Sequence, residues 1–267
     1  MMYQFTHKNV FITGGSEGLG LELAKAFIEA GSTVTICGRQ KIKLDKALNE
    51  LKKISSHIFA VPADVTNKME VVQAIEKAVA LMGSLDVVIN NVGSTDKFGG
   101  FFDLDEKDWM DTYKKNVLSV VHTVKAAHPY LKKSKNPRVV NIASITGLQP
   151  GIFNPHYSAS KAALINLSKH LSSLFAPDHI LVNCIVPGTF ESGAWTRNIE
   201  RVAHEKKITV DEAATIENQL AVNSIPLNRI GQPKDIIPLI LLLASEHAAW
   251  ITGSCFVVDG GKMRSMH

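Results

Sequence analysis

The chain has no apolar run long enough to cross a bilayer. Its most apolar stretch, Ile236 to Ala244, is nine residues long and contains Pro238, whereas a spanning helix needs about 20. The N-terminus enters a strand pattern almost at once, so no secretory signal peptide is expected. Cysteine is scarce: Cys37, Cys184 and Cys255 are odd in number and far apart. That excludes a disulfide framework and reads as buried thiols in a reducing cytoplasm. The ten histidines show neither HExxH nor paired-ligand spacing, so no metal is expected. Repeats and low-complexity runs are lacking, and a net charge of +4 is too mild to argue for nucleic acid. It suits anionic ligands. What remains is a chain of 267 residues, 45% of them hydrophobic, enough for a sizeable core. Such a length allows one large α/β domain or two small ones. Glycine motifs spread from the first strand to the last favour one, residues 1–267.

Val10-Phe11-Ile12 reads as a buried strand. It runs into Thr13-Gly14-Gly15-Ser16-Glu17-Gly18-Leu19-Gly20, followed by a helical pattern from Leu21 to Ala30 that Gly31 stops. Strand, glycine turn and helix in that order form an anion-binding unit. The glycines let the backbone approach a pyrophosphate, and the helix start supplies N–H groups and partial positive charge. The spacing is G-x-x-x-G-x-G, unlike the general G-x-G-x-x-G fingerprint. A second strand, Thr33 to Cys37, ends at Gly38-Arg39. An NAD site normally places an acid here to bind the ribose 2′-hydroxyl. Gly38 stands in that place with Arg39 beside it, and a guanidinium suits a 2′-phosphate. NADP(H) is therefore expected over NAD(H). Glu17 adds no attraction for phosphate.

Strands alternate with helices along the rest of the chain: strands at 58–61, 85–89, 138–144, 180–186 and 254–258, helices at 67–82, 106–131, 157–175 and 233–244. This implies a Rossmann-type α/β fold, a doubly wound parallel sheet with ligands at the carboxyl ends of its strands. Tyr157 and Lys161 stand four residues apart in Tyr157-Ser158-Ala159-Ser160-Lys161, on one face of a helix. A nearby ammonium favours the phenolate and lowers the phenol's pKa from about 10. The pair could exchange a proton with an alcohol or ketone.

These motifs together, TGGSEGLG at 13–20, NNVG at 90–93, Asn116, Ser144, Tyr157-x-x-x-Lys161, Pro187-Gly188 and ITGSCFVVDGG at 251–261, resemble the short-chain dehydrogenase/reductase family. The likeness is to the compact type that includes 3-oxoacyl-carrier-protein reductases, and it covers nearly the whole chain. Val92 departs from the commoner NNAG. The resemblance implies Tyr157 as general acid for ketone reduction and general base for alcohol oxidation. Lys161 would tune it and hold the nicotinamide ribose, Ser144 would bind the carbonyl oxygen, and Asn116 would hold a water linking Lys161 to solvent. Gly14, Ser16, Gly18 and Leu19 would line the phosphates, and Asp64 and Val65 would flank the adenine. Asn90 and Gly93 would line the adenosine ribose side, Pro187, Gly188 and Thr189 the nicotinamide end. Ser192 stands where relatives often carry a threonine for the carboxamide. Asp64 could instead cap a helix.

The resemblance also implies a small carbonyl or alcohol substrate, a cytoplasmic location and a homo-oligomer, tetramer or dimer. Residues 189–226 form an insertion expected to be a helical lid over the substrate, with helices at 194–206 and from Val210 to about Asn223, the second begun by a Thr209–Glu212 capping box. Trp195 and Arg197 could face the ligand there, or could pack the lid and face solvent respectively. The same residues leave open a dinucleotide-binding regulator without turnover, its lid a partner surface, and an NAD-linked alcohol dehydrogenase.

Overall fold

The computed structural model describes residues 4–265. Seven strands form one parallel sheet: β1 (Asn9–Thr13), β2 (Thr33–Gly38), β3 (Ile58–Pro62), β4 (Val87–Asn90), β5 (Arg138–Ile142), β6 (Leu181–Pro187) and β7 (Cys255–Val258). Their order in space is β3-β2-β1-β4-β5-β6-β7. Pairing is in register throughout, as in Ile12 against Ile36 and Ile12 against Ile89. Strands β1, β4 and β5 are buried along their whole length. That is why their middles, Val10–Ile12, Val87–Ile89 and Val139–Val140, read as unbroken apolar runs and not as alternating ones.

Helices α1 (Gly18–Glu29), α2 (Lys41–Leu51) and α9 (Pro233–Ala244) cover one face. Phe27, Leu44, Ile240 and Leu243 pack there against Ile12, Ile36 and Ile185. Helices α3 (Lys68–Met82), α5 (Ser119–Leu131) and α6 (Pro155–Phe175) cover the other, through Ile75, Val124, Leu164 and Leu171. The doubly wound sheet expected from the alternation is borne out. The order reverses between β1 and β4, so the crevice between their carboxyl ends is the topological switch point where such sheets bind ligands.

The helix expected over 106–131 is composite. Helix α4 (Glu106–Tyr113) passes through a π-helical turn at Lys114–Leu118 before α5 begins. Such turns insert a residue into the ladder and occur often at functional sites; here the turn carries Asn116. Helices α7 (Gly193–Lys206) and α8 (Val210–Asn223) form a pair with a small core of Ile199, Val202, Ala203 and Ala213. The Thr209 box is made as read: Glu212 N donates to Thr209 Oγ1 at 3.2 Å and Thr209 N to Glu212 Oε2 at 2.9 Å. Cys37 and Cys184 are buried thiols, but Cys255 is exposed, because β7 is an edge strand with no further strand to cover it. No helix among the described residues is long and apolar enough to cross a membrane.

Candidate active site

The glycine loop begins where β1 ends. Gly14 and Gly18 take φ of +66° and +56°, values that favour glycine. A Cβ on Gly18 would meet nothing within 4 Å, so open space faces the start of α1. Glu17, the N-cap residue, gives no side-chain cap; its carboxylate pairs with Lys43 at 2.8 Å instead. The first N–H groups of α1 are thus free for an anion. Asn91, a member of the NNVG motif with no role expected of it, braces the loop: its Nδ2 donates to Thr13 O at 3.1 Å and Gly14 O at 3.2 Å. Its place directly after a strand-end asparagine was the available signal.

Two adjoining cavities of about 570 and 360 Å³ open along the strand ends. Gly14, Ser16, Glu17, Val92, Ser94 and Arg197 line both. The larger is also lined by Gly18, Leu19, Gly93, Ser144, Tyr157, Lys161, Pro187, Gly188, Thr189, Ser192 and Trp195. The smaller holds Arg39, Asp64 and Val65, with Gly38 and Lys43. Asp64 does not cap α3; Asn67 does, accepting from Met69 and Glu70 N–H. Asp64 Oδ1 instead accepts from Thr66 N at 2.9 Å and Thr66 Oγ1 at 2.8 Å, which fixes its carboxylate at the cavity wall.

Asn90 does not reach either cavity. Its side chain is buried, and Nδ2 donates to Asn141 Oδ1 at 2.8 Å. Asn141 in turn donates to Ser168 Oγ at 2.9 Å, so the chain of amides ties β4 and β5 to α6. His156 is likewise buried away from the cavity, with Nε2 2.7 Å from Thr95 Oγ1. Ser192 lines the larger cavity, but its Oγ caps α7 by accepting from Trp195 N at 3.2 Å. Trp195 combines its two readings: it lines the cavity, and its Nε1 donates to Asn218 Oδ1 of α8 at 2.9 Å. Arg197 is exposed and stands where the two cavities meet.

Ser144, Tyr157 and Lys161 converge on the floor of the larger cavity. Ser144 stands two residues past the end of β5, and Lys161 lies one turn after Tyr157 on α6. Lys161 is 2% exposed, its Nζ donates to Ile142 O at 2.9 Å, and Nζ stands 5.6 Å from the Tyr157 ring centre. Burial pushes the Lys161 pKa down to about 8. Burial also pushes the Tyr157 phenol up to about 12, partly opposed by a hydrogen bond with Ser144. Desolvation of the phenolate sets the direction, and the group that lowers the phenol's pKa here is Ser144, not the lysine expected to do so. Tyr157 as a whole keeps some exposure to the cavity, so water in the open cleft moderates that rise. Asn116 lies behind them. Its Nδ2 donates to Ser94 O and Thr112 O, each at 2.8 Å, while its buried Oδ1 has no partner. A Cβ on Gly93 would lie 3.1 Å from that Oδ1 and would collide with Lys161 Nζ. An orphaned acceptor beside a buried ammonium fits a bound water or ligand hydroxyl.

A parallel sheet with an open glycine-helix start and a Ser–Tyr–Lys floor defines a dinucleotide-linked oxidoreductase. The short chain dehydrogenase family model matches residues 8–203, and the chain belongs to that family. It is 31% identical over 256 residues to the 3-oxoacyl-[acyl-carrier-protein] reductase FabG of Chlamydia muridarum, covering 96% of this chain and 97% of the relative. L-sorbose reductase from Gluconobacter frateurii, solved with NADPH and L-sorbose, superposes over the full length of both chains with TM-score 0.92 at 26% identity. An NADPH-bound short chain oxidoreductase from Pseudomonas aeruginosa PAO1, described as having an atypical catalytic center, is 31% identical with TM-score 0.90. That match covers 99% of this chain and 100% of the other.

Proposed function

We propose that the protein is an NADP(H)-dependent carbonyl reductase acting on a small-molecule ketone or aldehyde. The observation that carries this reading is the Ser144–Tyr157–Lys161 floor facing the same cavity as the open start of α1. The NADPH complexes of L-sorbose reductase and of the Pseudomonas oxidoreductase support the cofactor. So does the absence of an acid at the end of β2, where Arg39 and Lys43 share the smaller cavity. Free N–H groups of α1 and the Gly14–Leu19 loop would hold the diphosphate, and Arg39 the 2′-phosphate. Asp64 and Val65 would flank the adenine, and Gly93 and Pro187 to Thr189 the ribose and nicotinamide. A nicotinamide so bound supplies the hydride.

The residues of the floor manage the proton. Ser144 donates to the substrate oxygen and holds it near the phenol. Negative charge that develops on that oxygen is stabilised by these fixed donors. Tyr157, whose phenol burial keeps protonated at neutral pH, gives the proton when a ketone is reduced. Lys161, charged at pH 7 with a pKa of about 8, stabilises the phenolate left behind. Asn116 Oδ1 would hold the water that returns the proton.

In this reading residues 1–267 work as one cofactor-binding unit, with 189–226 as the cover over the substrate. The chain works in the cytoplasm as a homo-oligomer, tetramer or dimer. Asp178 counts against delivery on an acyl carrier protein: of the neighbouring basic residues Lys132, Lys133, Lys135 and Arg138, Lys132 is paired with it at 3.0 Å, and His128 binds the same carboxylate at 2.8 Å. A screen of ketones, aldehydes and keto-sugars, following NADPH oxidation, tests the activity. Turnover that Tyr157→Phe removes is the expected result. Oxidation of NADPH that survives Tyr157→Phe would overturn the assignment.

A further inference from the structure

Arg201 lies on α7 and takes no part in the chemistry above. Its guanidinium carbon is 5.5 Å from the ring centre of Phe98 and 5.2 Å from that of Phe153, within cation–π range of both. The two rings belong to separate loops, one leading from β4 toward α4 and one leading into α6. Those loops are tied to each other. Gly99 N donates to Asn154 Oδ1 at 3.0 Å, and Asn154 N donates to Gly99 O at 2.8 Å. Asn154 holds φ of +54° and is the N-cap of α6, so the tie ends three residues before Tyr157. On the other side, Arg201 Nη2 donates to Asn198 Oδ1 at 2.9 Å and Nη1 binds Glu205, both on α7. Nε is buried with no hydrogen-bond partner; the aromatic rings beside the guanidinium supply the compensating interaction. Phe98 and Asn198 both line the catalytic cavity.

The cation therefore joins three pieces around the substrate end: the α7–α8 pair, the β4–α4 loop and the loop that leads into α6. We propose that Arg201 is the catch that docks α7–α8 against the substrate-side loops, and that this docking fixes the first turn of α6 and with it Tyr157. The guanidinium suits the task because a flat delocalised cation can interact with two rings while its edge still donates to Asn198 and Glu205. A lysine ammonium has no such plane. Arg201 is on this account a positioning residue. Closing the cover and setting the acid become one event, so proton transfer is available only under a closed cover.

The proposal rests on reading residues 189–226 as a cover, and its test uses no turnover. Hydrogen exchange is followed in the full-length protein as wild type, Arg201→Ala, Arg201→Lys, Phe153→Leu and the double variant Arg201→Ala/Phe153→Leu. Arg201→Ala is expected to speed exchange roughly tenfold, the worth of two partly buried cation–π contacts. The change should fall in α7–α8, in residues 97–101 and in residues 153–158 together, and leave the sheet unchanged. Phe153→Leu should give the same pattern more weakly, and Arg201→Lys a partial rescue. The double variant should exceed Arg201→Ala by little, because the cation is already gone. Faster exchange confined to α7, as loss of the Glu205 and Asn198 bonds alone would give, overturns the proposal; so does no change. Should Arg201→Ala fail to fold, Arg201→Lys and Phe153→Leu decide in the same way. Wild type is titrated with NADPH alongside. Failure to bind it would sink the reductase reading, while the exchange pattern would still judge the catch.

Discussion

Replacing Lys161 by methionine should abolish reduction and yet make the folded protein more stable at neutral pH. The ammonium is buried, and no carboxylate among the described residues pairs with it; it donates to the Ile142 carbonyl at 2.9 Å. Its pKa falls from 10.5 to about 8 on folding. A depressed lysine pKa means that the unfolded chain binds the proton more tightly. The cost is full below the folded value and fades as pH rises from about 8 to 10.5. At about 1.4 kcal/mol per tenfold change in affinity, it amounts to roughly 3 kcal/mol at pH 7. Methionine removes this cost and keeps all but the last atom of the side chain's length. It also leaves the Ile142 carbonyl without its donor, at about 1–2 kcal/mol. The variant should therefore be more stable than wild type by about 1–2 kcal/mol at pH 7. At pH 10 the wild-type penalty has shrunk by roughly 2.5 kcal/mol, so the advantage vanishes or reverses. Urea unfolding of both proteins at pH 7 and pH 10, at one protein concentration, measures this. A variant less stable at pH 7, or a difference that does not change with pH, would refute the electrostatic picture of the site.

Tyr157→Phe should lower turnover by roughly 10²- to 10⁴-fold, the usual worth of a positioned acid, with NADPH affinity within a few-fold of wild type; steady-state kinetics and a fluorescence titration check both halves. Gly93→Ala should cost about 1–3 kcal/mol in urea unfolding and most of the activity, because its Cβ would collide with Lys161 Nζ. Asn141→Ala breaks the amide chain from Asn90 to Ser168 and should destabilise by about 1–3 kcal/mol; unchanged thermal unfolding would remove that chain from the account. Light scattering should give the mass of a tetramer or dimer, and a monomer would contradict the proposed assembly.

Much of this was legible in the sequence because the groups that matter act through spacing. The glycine loop, the Gly38-Arg39 strand end and Tyr157-x-x-x-Lys161 each announce geometry that neighbours along the chain enforce. The Thr209–Glu212 box fixed the start of α8 for the same reason. What failed depended on contacts between distant elements. Asn90 sits at a strand end as expected, yet whether its amide faces the ligand or Asn141 is decided by β5. The π turn around Asn116 leaves no periodic trace, since the apolar face continues through α5. The Arg201 stack joins residues 98, 153 and 201, which no local pattern links. The four-residue spacing of Tyr157 and Lys161 suggests a lowered phenol pKa, but burial, which only the folded molecule sets, raises it.

Titration of the purified protein with NADPH and NADH, repeated on Arg39→Ala, tests the central claim most directly. Binding of NADPH at least about tenfold tighter than NADH is expected, with the variant losing roughly 10- to 100-fold toward NADPH and little toward NADH, as removal of a charge-assisted contact of about 1.5–3 kcal/mol requires. Equal affinities, or NADH bound more tightly, would contradict an NADP(H)-dependent reductase and turn the site toward NAD-linked alcohol oxidation.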